Sequence, residues 1–146
     1  MTLINQLLKV KGPSYFSVRP DETVYSAIKK MGEKDIGSVL VMDRATLVGI
    51  LTERDYARNV ALKGRSSPQT LVSEIMSTQV ATVGPDDTVE KSLALMTEKR
   101  VRYLPVVKEG AVVGIISIGD LVKSTIGDQR FTIGQLETYC SGASMH

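Results

Sequence analysis

A chain of 146 residues with 42% hydrophobic content is long enough to bury a sizeable core as one domain of ordinary size. Its net charge of +2 arises from interleaved basic and acidic residues, which argues against the basic stripe of a nucleic-acid binder and against a membrane-surface helix. A single cysteine, Cys140, excludes an intrachain disulfide and offers no metal-ligand spacing. With no leader pattern at Met1–Gln6 and no apolar run near ~18 residues, the expectation is a soluble, cytoplasmic protein.

Along the chain, Leu3-Ile4-x-x-Leu7-Leu8 comes first, an apolar pattern expected to form an N-terminal helix. Phe16-Ser17-Val18 then leads to Pro20-Asp21-Glu22-Thr23-Val24, after which Val24, Ala27, Ile28 and Met31 follow helical spacing. Two short β-rich runs come next, Val39–Met42 and Leu47–Leu51, joined by a tight polar connection. A second helix is expected from Glu53 to about Val60. The polar, turn-rich stretch Lys63–Pro68 reads as a linker.

The same order then repeats. Pro85-Asp86-Asp87-Thr88-Val89 returns 65 residues after its first copy, and Val48-Gly49-Ile50 and Asp55 recur as Val113-Gly114-Ile115 and Asp120 in an unbroken register. The second copy carries a helix through Val89, Leu93 and Met96, strands at Leu104–Val107 and Val112–Ile116, and a last helix from Ile118 to about Lys123. Upstream, Leu71-Val72-x-x-Ile75-Met76 echoes Leu3-Ile4-x-x-Leu7-Leu8 at an offset of 68, so the two registers differ near Lys11-Gly12-Pro13. Two copies are too few for a solenoid, which leaves a pseudo-two-fold pair with a cleft between its halves. The fold class is α/β in the α+β sense, two β-α-β-β-α repeats, with halves at 1–64 and 65–127 and an extension at 128–146. Within that extension Phe131–Tyr139 has no counterpart and reads as a capping helix or a dimerisation segment.

The chemistry-bearing pattern is Gly49-Ile50-Leu51-Thr52-Glu53-Arg54-Asp55 and its echo Gly114-Ile115-Ile116-Ser117-Ile118-Gly119-Asp120. A strand enters a helix whose first turn holds a hydroxyl and, three residues on, a carboxylate. That is a capping-box arrangement, which satisfies free backbone N–H groups and sets an acid against the positive end of the helix dipole. The same helix opening binds phosphate, and an ionised aspartate accepts hydrogen bonds from a ribose diol. Cap and site can coexist.

The duplicated unit, with its h-x-P-x-x-T-h opening and Gly-h-h-Ser/Thr-x-x-Asp close, resembles a tandem pair of cystathionine-β-synthase (CBS) domains, a Bateman module, over about residues 3–126. The resemblance implies two clefts, each able to hold an adenosyl ligand such as AMP, ADP, ATP, NAD or S-adenosylmethionine. It also implies a sensing role, a disc-shaped homodimer and an effector protein that receives the signal. Carried over residue by residue, it assigns ribose binding to Asp55 and Asp120 with Thr52 and Ser117 beside them, at the ends of strands holding Ile50 and Ile115. It assigns base contacts to Phe16-Ser17-Val18 and Ala81-Thr82-Val83, and the wall behind the base to Ile36-Gly37-Ser38 and Val101-Arg102-Tyr103. Arg54 is echoed by Gly119 and Arg102 by Gly37, so the two clefts are expected to differ. The expectation is that both arginines gather at the Asp120 cleft as phosphate partners, leaving Gly37 and Gly119 to the Asp55 cleft.

Catalysis has little to work with. The sole histidine is the terminal His146, and neither a phosphate loop nor a dinucleotide fingerprint is present. No catalytic cofactor or metal is expected. The rivals to a regulatory nucleotide-binding module are a small nucleotide-processing enzyme and an assembly module whose clefts are filled by side chains.

Overall fold

The computed structural model describes residues 2–12 and 15–126. Phe131–Tyr139 and the rest of the 128–146 extension lie outside the described residues.

The first half contains β1 (Ser17–Val18), α2 (Val24–Lys34), β2 (Ser38–Asp43) and β3 (Thr46–Thr52). Thr23 starts α2 by accepting the Ser26 N–H at 3.1 Å, and Asp35 ends it in the left-handed conformation at φ 53°. β2 and β3 form an antiparallel hairpin that pairs Ser38 with Thr52, and β1 adds in parallel alongside β2. β3 runs directly into α3 (Glu53–Tyr56), continued by a π-helical turn at Ala57–Ala61. A short 3-10 turn, Ser67–Gln69, leads to α4 (Val72–Ile75).

The second half repeats this with α5 (Val89–Lys99), β4 (Tyr103–Lys108), β5 (Ala111–Ser117) and α6 (residues 118–126). The pseudo-symmetry extends to backbone strain, because the four non-glycine residues at positive φ among the described residues form two equivalent pairs, Asp35 with Arg100 and Arg44 with Glu109. One element is not repeated. The expected first strand of the second copy shrinks to a single bridge between Val83 and Val106. In the first half the Leu40 N–H donates to the Phe16 carbonyl at 3.0 Å. Leu40 is replaced in the echo by Pro105, which has no N–H, so that rung of the ladder cannot form.

The cores exchange their entry helices. α1 (Ile4–Lys11) buries Ile4 and Leu8 among Val83, Val89, Met96, Leu104, Val106 and Ile116 of the second half. α4 buries Val72 and Ile75 among Val24, Met31, Val39, Val41 and Leu51 of the first. Backbone hydrogen bonds fix each docking: Ile4 N–H to the Asp87 carbonyl at 2.9 Å and Val89 N–H to the Thr2 carbonyl at 3.0 Å, against Val72 N–H to Glu22 and Val24 N–H to Thr70, both at 2.8 Å. The sequence boundary at 1–64 assigns α1 to the first half, whereas its apolar face completes the core of the second. Where the halves meet, Leu40, Met42 and Ile50 pack with Tyr103, Val112 and Ile115.

Glycines admit the exchanged helices. A Cβ on Gly49 would lie 2.7 Å from the Met76 sulfur and 2.9 Å from the Ser77 carbonyl, and one on Gly114 would lie 2.8 Å from Leu8 Cδ2. The repeated glycine in each strand is therefore the seat of the segment preceding the opposite copy.

Candidate functional site

Both strand-to-helix junctions form the caps expected of them. The Thr52 hydroxyl accepts the Asp55 N–H at 3.1 Å, and Asp55 Oδ2 accepts the Thr52 N–H and hydroxyl, each at 3.0 Å. In the echo, Ser117 Oγ accepts the Asp120 N–H at 3.1 Å and Asp120 Oδ2 accepts the Ser117 N–H at 2.8 Å. Each carboxylate is thereby turned to the strand end where its half faces the other.

Around Asp55 lies a cleft of about 640 Å³, within the size range of small-ligand sites. Ile50, Thr52, Arg54, Asp55 and Gly37 line it from the first half, Val101, Arg102 and Tyr103 from the second, and Ala81 from the segment between. Nine sequence-predicted residues thus share one cavity, and the closing motif of one copy faces the strand entry of the other. Sequence reasoning missed Arg58 on the π-helical turn, Lys99 and Arg100 at the end of α5, and residues 76–80, all of which also line the cleft. The missed cations have a readable signal: Lys99 and Arg100 immediately precede the Val101 strand entry.

The two arginines expected at the Asp120 side also reach the Asp55 cleft. Arg54 and Arg102 both line the Asp55 cleft, and Gly37 lies there with them. Arg54 directly precedes Asp55 in the four-residue α3, and neighbouring residues on a helix diverge by about 100°. Arg54 and Arg102 also line a second hollow of about 300 Å³ with Arg100 and Ile118, which Asp55 does not reach. Arg102 comes from the second half, at the strand entry before β4, and lines the same cavity as α3. With Arg58, Lys99 and Arg100 these make five cationic side chains against two carboxylates, Glu53 and Asp55. Among the described residues none of the five joins an ion pair.

The remaining predicted residues lie elsewhere. Val18 is buried in the first core with Ile36 packed against it, and Ser38 is buried at the start of β2. The Ser17 carbonyl accepts from the Lys30 ammonium at 2.8 Å. Phe16 is exposed, with the Lys34 ammonium 5.4 Å from its ring centre. Thr82 adjoins the Val83 bridge without lining the cleft.

Tyr103 forms part of the wall. Burial raises its phenol above the usual range, with the nearby Glu53 charge adding to that, so the hydroxyl stays protonated. A Cβ on Gly37 would collide with that hydroxyl, which explains glycine there by close approach rather than by backbone angle.

Asp120, Ser117 and Ile115 are differently occupied. The Lys11 ammonium, at the last turn of α1, donates to Asp120 Oδ2 at 2.6 Å and to the Ile115 carbonyl at 2.9 Å. Burial pushes the Asp120 carboxyl up, but the Lys11 hydrogen bond, the Ser117 N–H and the Lys11 charge together outweigh it and hold the group below its ordinary value. Lys11 lies in the stretch where the two sequence registers diverge, so repeat symmetry gave no signal for it.

A family model for the CBS domain matches residues 10–62 and 72–127. A candidate signal-transduction protein with CBS domains from Burkholderia ambifaria is 50% identical in its solved structure, at a TM-score of 0.84 covering 88% of this chain and 96% of that one. The mitochondrial CBS domain-containing protein CBSX3 of Arabidopsis thaliana is 36% identical over 150 residues, 97% of this chain and 73% of the relative. The CBS domain pair of protein MJ0100, solved in complex with 5'-methylthioadenosine and S-adenosyl-L-methionine, is 25% identical at a TM-score of 0.77, covering 88% of this chain and 98% of that one. Among the described residues no helix is long and apolar enough to cross a membrane.

Proposed function

This chain belongs to the CBS-domain family as a tandem pair, and on that premise we propose that it is a regulatory module binding a phosphate-bearing adenosine nucleotide in the Asp55 cleft. The observation that carries the reading is the set of five cations around a capped aspartate, none of them in an ion pair among the described residues. Asp55 accepts the ribose hydroxyls, and Arg54, Arg58, Lys99, Arg100 and Arg102 take the phosphates, guanidinium forks matching phosphate oxygens in charge and geometry. The adenosyl ligands of the MJ0100 pair support the ligand class. The excess of positive charge here favours AMP, ADP, ATP or NAD over a cationic sulfonium.

The role is sensing rather than catalysis. A ligand shifts a conformational equilibrium only by its difference in affinity for the two states, so output to an effector protein requires a partner that prefers one ligand state. A homodimer is part of the proposal, supported by the exposed Ile118, Val122 and Ile126, which recur every fourth residue along α6 and offer a self-complementary apolar face.

A thermal-shift panel of adenosine, AMP, ADP, ATP, NAD and S-adenosylmethionine tests the reading. A ligand at ~100 times its dissociation constant stabilises by about 2.7 kcal/mol, which raises Tm by roughly 5 °C. The phosphorylated ligands should give the larger shifts, reduced by salt. Melting curves that stay flat across the panel at millimolar concentration would refute it, and product formation from any nucleotide would favour the enzymatic alternative.

A further inference from the structure

The two clefts differ in how an equivalent entry helix ends. α4 stops at Ile75, Met76 turns extended, and the Ser77 N–H caps the Ile50 carbonyl at 2.9 Å. α1, its counterpart, runs on to Lys11 before Gly12 ends it at φ 96°. The residue matching Ser77 is Lys9, still helical, and the carbonyl matching that of Ile50 is the carbonyl of Ile115. In place of a backbone N–H it receives the Lys11 ammonium, which also holds Asp120. The counterpart of Lys11 is Gln79, an uncharged residue lining the Asp55 cleft.

Local sequence explains the longer helix. Leu7-Leu8-Lys9 are good helix formers, with Lys9 and Lys11 favourably placed against the C-terminal dipole. Ser77-Thr78-Gln79-Val80 has hydroxyl and β-branched residues that favour extended backbone. Leu8, one turn before Lys11, is buried against Gly114, so a seated helix delivers the ammonium.

We propose that Lys11 is a built-in occupant of the Asp120 cleft: its ammonium takes the carboxylate and carbonyl that a nucleoside would use, so each chain offers one nucleotide site, at Asp55. A ribose diol brings neutral donors to a carboxylate already holding a charge-assisted bond, which is the stronger kind. Lys11 is in this sense a specificity-determining residue, setting stoichiometry by filling one of two equivalent positions. The proposal rests on the reading of the Asp55 cleft above.

Calorimetric titration of ATP tests both and separates them. The expected result is one site per chain for the native protein, two for Lys11→Met, which keeps the stem and removes the charge, and one for Lys11→Arg, which restores a cation. The second site of Lys11→Met should vanish in Lys11→Met/Asp120→Ala and persist in Lys11→Met/Asp55→Ala. Two sites in the native protein, or one in Lys11→Met with native circular dichroism, would overturn the role of Lys11 and leave the Asp55 reading standing. A single Asp120-dependent site appearing only in Lys11→Met would overturn the Asp55 reading and keep the role of Lys11. No binding by any of these proteins would overturn both.

Discussion

Asp55 and Asp120 end equivalent strands in equivalent caps, yet Asp55 lines an open cavity ringed by cations outside any ion pair among the described residues, and the Asp120 carboxylate is tied to Lys11. Duplication supplies two strand-to-helix junctions with the same cap. Substitutions within the motif, such as Arg54 against Gly119, and outside it, such as Lys11 against Gln79, then divide them. The difference teaches that equivalence of motif is not equivalence of site: Thr52–Asp55 and Ser117–Asp120 have nearly the same hydrogen bonds, and the groups that approach them decide their chemistry.

The largest effect should come from the exchanged helices on which the comparison depends. Ile4 is fully buried in the second core, so Ile4→Ala should lower the unfolding free energy by about 2–5 kcal/mol, read from urea denaturation. A loss under about 1 kcal/mol would mean that α1 is not seated there, and the contrast between the clefts would lose its basis.

Next in size are the two acids. Asp55→Ala and Asp120→Ala remove equivalent capping bonds, and Asp120→Ala removes the Lys11 bridge as well. Asp55→Ala should weaken ATP by roughly ten- to a hundredfold, the cost of a charge-assisted hydrogen bond. Asp120→Ala should change it less than about threefold by calorimetry. Equal losses would erase the asymmetry, and the reverse order would move the site to the other cleft.

The glycine seats offer a smaller contrast. Gly49→Ala would press on a sulfur and on a backbone carbonyl, Gly114→Ala on the end of one leucine side chain. Overpacking of this kind costs about 1–3 kcal/mol, with Gly49→Ala expected at the upper end. Melting temperatures that ranked the two the other way would indicate that the Met76–Ser77 segment yields more easily than Leu8.

The smallest effect concerns pH. Asp120 is held below its ordinary 3.8, so on acidification the unfolded chain takes up this proton first. The contribution of the Lys11 bridge is whole above about pH 5 and is lost as pH falls through the folded value. For this partly exposed pair, Lys11→Met should cost about 0.5–1 kcal/mol near neutral pH, a difference that closes on acidification. A difference that stayed constant from about pH 7 down to about pH 3 would show that Lys11 acts by packing instead.

Much of the fold was legible in the chain because the repeat states it twice. Thr23 and Thr88 announce the caps of α2 and α5, and apolar runs with a short polar break announce the hairpins. The first strand of the second copy was expected from the repeat and is reduced to one bridge, because Pro105 stands where Leu40 donates its N–H. Of the residues that line the Asp55 cleft, Thr52 and Asp55 stood out through the repeated motif, and Gly37, Ala81 and Val101–Tyr103 through the family resemblance. Lys99 and Arg100 were signalled only by their place just before the Val101 strand entry, and Arg58 not at all, because a cation on a helix looks the same in sequence whether it faces water or a cleft.

The sequence by itself determined the two repeats, their element order and the chemistry at each strand end, because these depend on spacing and on neighbours within a few residues. Only the tertiary structure decided which half each entry helix completes and that Lys11 reaches Asp120 across 109 positions of chain. These are pairings between surfaces formed separately. Burial of Ile4 and Leu8 fixes where α1 seats, and the length of that helix then fixes where its last ammonium falls.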